Sequence, residues 1–267
     1  MMPIPYWWLA SLLCCACVCQ APNESGKDED LQPIQSALTY HTPGYHLKLR
    51  EVLMTKAPHG PPVQLLILPS FHPETLVTLY ATTERVGPWK QVERTGFEAQ
   101  VVRPSESIWE HRGAADEVKC TVAKRQVSGE IAERLTDLWR GMLLRTRHSS
   151  DRKVHLDGVS YYFTSWKENH GTWSGMADNP AEGSRPYVLA EIGKSLIEYV
   201  EADSAAEKEA LSLLTKQMDA LEALLAAPED RPQKARPQGG DGDVGRKPDL
   251  PAVQLGPATG ASQKARS

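Results

Sequence analysis

The chain has almost no cysteine outside its N-terminus. Four of its five cysteines fall within residues 1–19, and the fifth is Cys120. A disulfide bond needs two cysteines, so the body of the chain holds no internal disulfide framework and its stability must come from packing. Cys120 alternates with Val118 and Val122, a pattern that places it on the apolar face of a predicted strand. We expect it to behave as a small buried hydrophobic residue.

Long hydrophobic runs, a basic excess and catalytic signatures are also missing. The longest uncharged apolar stretch, residues 6–19, is shorter than the roughly 20 residues that cross a bilayer as a helix. The formal net charge is −4, which argues against nucleic-acid binding because phosphate recognition needs a clustered basic face. The body contains no Gly-rich phosphate loop, Gly-x-Ser-x-Gly elbow, His-Glu-x-x-His helix or Cys-x-x-Cys zinc pattern. We therefore predict no cofactor and no metal site, and the sequence leaves open whether the protein is an enzyme.

The N-terminus has the features of a targeting signal. Residues 6–19 hold no charge, glycine or proline, and an acidic polar stretch follows them, as in the apolar part of an export signal. Ala16 and Cys17 come after a Leu-rich run and loosely resemble the lipidation box of bacterial lipoproteins, so Cys17 is the predicted acylation site. Cleavage after Cys19 and a retained N-terminal anchor are the alternatives. The expected location is the bacterial cell envelope, either periplasmic or attached to the membrane surface.

Composition divides the chain into four segments. Residues 1–19 form the signal or lipoprotein-type segment, and residues 20–39 are predicted to be a polar, solvated linker. Residues 40–227 are long enough to bury one sizeable core and are predicted to form a single domain. Residues 228–267 are rich in proline, glycine and charge, so we predict a disordered tail there.

Hydrophobic periodicity predicts strands in the first half of the domain. The run 63–68 is apolar throughout, which favours a central strand buried on both faces. Asp157 and Gly158 are expected to turn a hairpin between strands 154–156 and 159–164. The remaining predicted strands are 45–50, 76–80, 97–102 and 118–127.

The period then changes to that of helices. Ser128 is expected to cap a helix that carries Ile131, Leu135 and Trp139 on one face. Two further helices are predicted at 187–200 and 205–226, the second one started by a capping box from Ser204 to Glu207. Strands first and helices later predict an α+β fold, with an antiparallel or mixed sheet and three helices, two of them C-terminal.

The first candidate site follows the buried strand. His72 and Glu74 lie where a strand-end loop is expected, and an imidazole beside a carboxylate is a possible acid–base pair. This pair is the basis for an alternative hypothesis, that of an envelope hydrolase. A rigid turn between Pro69 and Pro73 explains the same residues without catalysis.

The second candidate site is a concentration of aromatic residues in 161–173. Alternation predicts that Tyr161 and Phe163 enter the core while Tyr162 faces outward or along the sheet. The loop 166–174 mixes indole rings with hydrogen-bonding side chains, as sugar or peptide grooves do. We predict a binding surface for a protein or glycan partner in the envelope, the alternative being a loop packed over the core. Its residues are Tyr162, Trp166, His170 and Trp173.

The third candidate is helix 205–226, whose apolar residues follow a 3-4-3-4 spacing. Such a seam dimerises with another helix or packs against its own domain. Docking of a partner helix would make the protein an assembly subunit. The leading hypothesis from the sequence is a non-catalytic binding module in the envelope. The seam residues are Leu211, Leu214, Met218, Leu221 and Leu225.

Overall fold

The computed structural model describes residues 30–34, 43–86, 91–148 and 157–227. These residues all belong to one compact unit, which ends at Pro228. The signal segment with Cys17, the strand 154–156 and the tail 228–267 are predictions that lie outside the described residues.

The described residues form six strands, which are β1 (Val63–Pro69), β2 (Thr75–Val86), β3 (Gln91–Pro104), β4 (Cys120–Val127), β5 (Val159–Lys167) and β6 (Gly171–Asp178). They make one antiparallel sheet in the order β4-β3-β2-β1-β5-β6. The predicted α+β class is confirmed, as are the strands predicted at 63–68, 76–80, 97–102 and 118–127. Strand β1 pairs only with the first half of β2, whereas β2 and β3 remain paired beyond the end of β1.

The described chain has four α-helices rather than the three predicted. They are α1 (Pro43–Val52), α2 (Gly129–Leu143), α3 (Arg185–Glu201) and α4 (Glu207–Ala226). The strand predicted at 45–50 is wrong, because α1 occupies it. Proline suits the first turn of a helix, and the buried residues Leu49, Val52 and Leu53 recur at helical spacing while Leu47 is 58% exposed.

The sheet carries a core on each face. Helices α2 and α3 pack against one face, which we call the helix face, and α4 packs on these two helices. Helix α1 with the segment 105–119 covers part of the other face, the α1 face. Strand β1 contributes Val63 and Leu65 to the first core and Leu66 and Leu68 to the second. The prediction of a central strand buried on both faces is therefore confirmed.

Residues 30–34 belong to the fold, so the predicted linker 20–39 is wrong for these positions. Leu31 is fully buried in the main core, and Gln32 exchanges two backbone hydrogen bonds with Met176 of β6 (2.8 and 2.7 Å). The Asp30 carboxylate pairs with Arg147 and lies 3.7 Å from Nη1 of Arg185, a side chain that is itself buried. One buried leucine and a charge cluster thus fix this segment to the sheet edge.

Two local expectations need correction. The predicted loop 166–174 is a β-hairpin, in which β5 and β6 pair through Lys167 opposite Gly171 and the tip holds Asn169 at a φ of +63°. Helix α4 does not begin with a capping box at Ser204. Instead, Oδ1 of Asp203 accepts hydrogen bonds from the backbone N–H groups of Ala205 and Ala206 (3.0 and 2.9 Å).

Helix α2 begins as predicted, because the hydroxyl of Ser128 accepts a hydrogen bond from the N–H of Ile131. The expectation for Cys120 is only partly correct. Its side chain packs at the margin of the second core and is half-buried, while Val122 is 46% exposed. Burial raises the pKa of the Cys120 thiol although Lys56 acts to lower it, so the reactive thiolate form is disfavoured.

Candidate functional site

The structure separates the four predicted binding residues. Tyr162 is buried under α1 in the second core, so the prediction that it faces outward or along the sheet is wrong. Trp166 lies on the same face but packs over the backbone of Gly60, where an added Cβ would be 2.9 Å from the indole. Trp173 packs against the helix-face core and its ring centroid is 6.0 Å from that of His170. These four side chains therefore do not line one groove.

The burial of Tyr162 has a chemical consequence. Burial first, and then the negative charge of Asp178, raise the pKa of Tyr162 to about 12. The phenol hydroxyl is buried and has no hydrogen-bond partner among the described residues. Tyr162 therefore stays protonated at neutral pH and contributes packing to the second core.

Glu74 holds the structure together rather than pairing with His72. The carboxylate is 1% exposed and accepts hydrogen bonds from the hydroxyl of Tyr45 (2.7 Å) and from the backbone N–H groups of Ile108 (2.8 Å) and Trp109 (3.2 Å). Burial, and then Glu74, raise the pKa of Tyr45. His72 is exposed in the turn before β2, and no hydrogen bond joins it to Glu74 within the described part of the chain. The geometry does not favour the hydrolase hypothesis.

The seam of α4 is used inside the domain. Leu214, Met218 and Leu221 are fully buried, and Leu211 and Leu225 pack against the same core. Arg134 of α2 reinforces the contact through ion pairs with Glu222 (2.5 Å) and Asp219. A seam buried in this way has no free face for a partner helix.

A cluster that the sequence did not single out lies on the α1 face, beyond the residues that α1 covers. Tyr80 of β2, Glu98 of β3 and Gln126 of β4 are directly opposite one another in register. Lys124 of β4 lies on the same face, two residues from Gln126. We call these four side chains the open face.

The four side chains of the open face are held by mutual hydrogen bonds. Tyr80 donates its hydroxyl to Oε1 of Glu98, and the ammonium of Lys124 donates to Oε1 of Glu98 (3.0 Å) and to the Tyr80 oxygen (3.1 Å). Gln126 donates to Oε2 of Glu98 (3.2 Å). The ammonium also lies 5.7 Å from the centre of the Tyr80 ring. Four exposed or half-buried polar groups are thereby fixed in one arrangement.

These contacts set the charges of the open face. Partial burial acts to raise the pKa of Glu98, but hydrogen bonds from Tyr80 and Lys124 outweigh it and hold that pKa below its ordinary value. Hydrogen bonds to Tyr80 and Glu98 raise the pKa of Lys124. Burial and the bond to Glu98 raise the pKa of Tyr80. At neutral pH the face therefore carries one carboxylate, one ammonium and one protonated phenol.

Alternation along the strands was the only sequence signal for this cluster. Glu98 and Gln100 interrupt the apolar residues of β3, and both side chains point to the α1 face. Gln100 is 3% exposed and donates to the backbone oxygen of Lys56 (2.6 Å), so its partner is part of the turn that follows α1. Glu98 lies beyond that cover and meets Tyr80 and Lys124 instead.

No group of three or more His, Cys, Asp or Glu side chains that would hold a metal ion occurs within the described ranges. Comparison of the chain with protein-family models, curated proteins and solved structures found no match.

Proposed function

We propose that this chain is an exported or lipid-anchored cell-envelope protein that acts as a non-catalytic binding module and presents its open face to a partner. The observation that supports this proposal is the fixed polar cluster of Tyr80, Glu98, Lys124 and Gln126. Preorganised side chains lose little conformational entropy on binding, so their hydrogen bonds favour affinity and orientation. A protein or a glycan of the envelope is the partner that such a surface suits.

The protonation states favour binding over catalysis. A general acid or base works best when its pKa is near the operating pH. Glu98 is held ionised, and Tyr80 and Lys124 are held protonated, across the neutral range. The groups of the open face therefore serve better as constant donors and acceptors than as proton-transfer agents.

The envelope address rests on the N-terminal run and on Cys17. No helix within the part of the chain that the structure describes is long and apolar enough to cross a membrane. A single acyl chain binds a membrane only marginally, and a second signal is needed for firm anchoring. Acylation at Cys17 therefore predicts reversible attachment to the membrane surface.

Labelling with radioactive palmitate and membrane fractionation test whether Cys17 is acylated and attaches the protein to the envelope membrane. We expect the wild type to take up label and to sediment with membranes, and Cys17→Ser to lose both. Cys120→Ser is the matched control, because Cys120 is half-buried in the domain, and it should behave as the wild type. Equal labelling of the wild type and Cys17→Ser would contradict acylation at Cys17.

Retention of detergent-solubilised envelope material on the immobilised chain tests the binding role. Tyr80→Phe and Lys124→Met each remove a hydrogen bond to Glu98, and together they should reduce the specifically retained material by about tenfold. Lys208→Met is the control, since Lys208 is exposed on α4. Retention that is unchanged by both open-face substitutions would count against this surface.

A further inference from the structure

A row of side chains crosses the α1 face of the sheet, beyond the part that α1 covers. The open face supplies Tyr80, Glu98 and Gln126 of this row, which are directly opposite one another. On the other side of β1, just past its paired register with β5, the N–H of Trp166 donates to the oxygen of Pro61 (3.0 Å). Trp166 therefore continues the row on β5, and its Cα atom and that of Tyr80 are two strand spacings, or about 10 Å, apart.

Both aromatic rings of the row are held in place by their neighbours. The indole of Trp166 is 42% exposed and lies on the backbone of Gly60. A Cβ added at Gly60 would be 2.9 Å from the indole, so the absence of a side chain there makes room for the ring. The phenol of Tyr80 is half-buried, and its hydroxyl donates to Glu98. Two fixed aromatic rings thus lie in one row with a polar cluster.

The charges of this surface compensate one another. Lys124 forms an ion pair with Glu98 (3.0 Å), and the neighbouring Arg125 of β4 forms one with Glu207 (2.8 Å). Each of these charges is thereby matched by a charge of opposite sign. Charged ligands are attracted by a potential of the opposite sign, so a compensated surface favours an uncharged ligand.

The open face still has hydrogen-bonding capacity to offer. An ammonium has three N–H donors, and Lys124 uses two of them within the described part of the chain. Oε2 of Glu98 accepts a bond from one N–H of Gln126, whereas a carboxylate oxygen can accept two bonds and an amide can donate two. Donors and acceptors therefore lie side by side. This arrangement matches a hydroxyl group, which is both a donor and an acceptor.

We propose that the open face and Trp166 together bind an uncharged oligosaccharide. The apolar faces of its sugar rings pack on the rings of Tyr80 and Trp166, and its hydroxyl groups bond to the polar groups beside them. A flat sheet face with aromatic rings about 10 Å apart suits an extended chain of sugars rather than a single one. This inference rests on the proposed function and identifies its partner as a neutral glycan.

Other macromolecules fit this surface less well. The centre of a protein–protein interface is depleted of charged residues, whereas the open face is centred on the ion pair of Glu98 and Lys124. Nucleic acids need a clustered basic face, whereas Lys124 and Arg125 are both paired with carboxylates. The aromatic rings, the compensated charge and the mixed donors and acceptors together favour a glycan.

Isothermal titration calorimetry tests the ligand class. The full chain is kept in a detergent without a sugar headgroup, because such a headgroup would compete, and is titrated with cellotetraose, mannotetraose and chitotetraose. At least one of these neutral probes should bind, with an affinity that does not change with salt. Its monosaccharide should bind at least about tenfold more weakly, because one ring cannot contact both aromatic side chains. Absence of binding by all three tetrasaccharides would overturn the proposal.

Charged probes test the compensation. Tetragalacturonate is acidic, and the deacetylated form of chitotetraose is cationic. Both should bind more weakly than the best neutral tetrasaccharide at low salt. Tighter binding of either charged probe, with an affinity that falls as salt is added, would contradict a neutral ligand.

Substitutions test the site. Trp166→Leu keeps apolar bulk over Gly60 but removes the aromatic ring, and it should weaken binding of the neutral tetrasaccharide by about tenfold. Lys124→Met removes a donor from an exposed position and should weaken binding by about three- to tenfold. Phe71→Leu is the matched control, since Phe71 is 73% exposed in the turn before β2, and it should bind as the wild type does. Thermal unfolding followed by circular dichroism verifies that the variants fold. Binding that survives both Trp166→Leu and Lys124→Met would overturn the site.

The envelope material retained on the immobilised chain distinguishes a glycan from a protein. Periodate cleaves the vicinal diols of sugars, so periodate treatment of that material should abolish its retention, whereas protease treatment should not. Retention that is lost with protease and survives periodate would identify a protein partner. In that case the glycan inference fails and the proposed function stands. If the open-face substitutions change neither retention nor tetrasaccharide binding, both fail.

Discussion

The carboxylate of Glu74 lies where α1, the loop 105–111 and the start of β2 meet. Its two oxygens accept one side-chain and two backbone hydrogen bonds. His72, only two residues earlier, is exposed. Residues that are neighbours in sequence thus have separate environments, because the strand that begins at Thr75 turns Glu74 inward.

Glu74→Gln should destabilise the domain by about 2–4 kcal/mol, because an amide group is a weaker acceptor and its NH₂ would face a backbone N–H donor in either orientation. His72→Ala should change the free energy of unfolding by less than about 0.5 kcal/mol. Urea unfolding of the two variants measures both effects. A larger loss for His72→Ala than for Glu74→Gln would contradict the structural role of Glu74.

Glu98 predicts a pH dependence with a definite sign. Its pKa is lower in the folded state than its ordinary value of 4.5, so the unfolded chain binds more protons as the pH falls. The stability that Glu98 contributes is therefore present above pH 4.5 and decreases as the pH falls through the folded-state pKa. The difference in unfolding free energy between the wild type and Glu98→Gln should shrink below pH 4.5. A difference that stays constant from pH 7 to pH 3 would contradict the ionised, hydrogen-bonded carboxylate.

Among the elements, the helices that succeeded as predictions are those with a local signal. A side-chain cap and a buried stripe identify α2 from neighbouring residues alone. Helix α1 was predicted as a strand because Tyr45, Leu47 and Leu49 alternate by chance. Its buried face is determined by contact with the second core, on the α1 face of the sheet, and the sequence does not show that contact. The predicted orientation of Tyr162 was wrong for the same reason, since the sequence of a strand does not show that both faces of the sheet are covered.

The start of α4 offers a matched pair of substitutions. The Asp203 carboxylate accepts two hydrogen bonds from the backbone N–H groups of Ala205 and Ala206, in the turn that leads into α4, and Ser204 makes no such bond in the structure. Asp203→Ala should therefore cost about 1 kcal/mol, and Ser204→Ala should cost only a few tenths. Thermal or urea unfolding of the two variants compares them directly. Equal losses of stability, or a larger loss for Ser204→Ala, would support the predicted capping box and contradict the role of Asp203.

At the scale of the whole molecule, the α+β class and the central strand followed from the sequence, whereas the open face did not. Tyr80, Glu98 and Gln126 lie on three different strands, and only the register of the sheet brings them together. A single sequence fixes which residues alternate on each strand but not which strands are neighbours. The predicted aromatic site had the opposite fault, because residues close in sequence were assigned to one surface although the hairpin distributes them over two faces.

The most direct test of the open face as a binding surface is photo-crosslinking in the cells that make the protein. A photoreactive amino acid at Thr82, on β2 next to the open face, should give a discrete crosslinked product. The same group at Lys216, exposed on α4 on the other side of the sheet, should give none. The product at Thr82 should disappear when Tyr80→Phe and Lys124→Met are added. Equal products at both positions, or a product at Thr82 that survives those substitutions, would contradict the account.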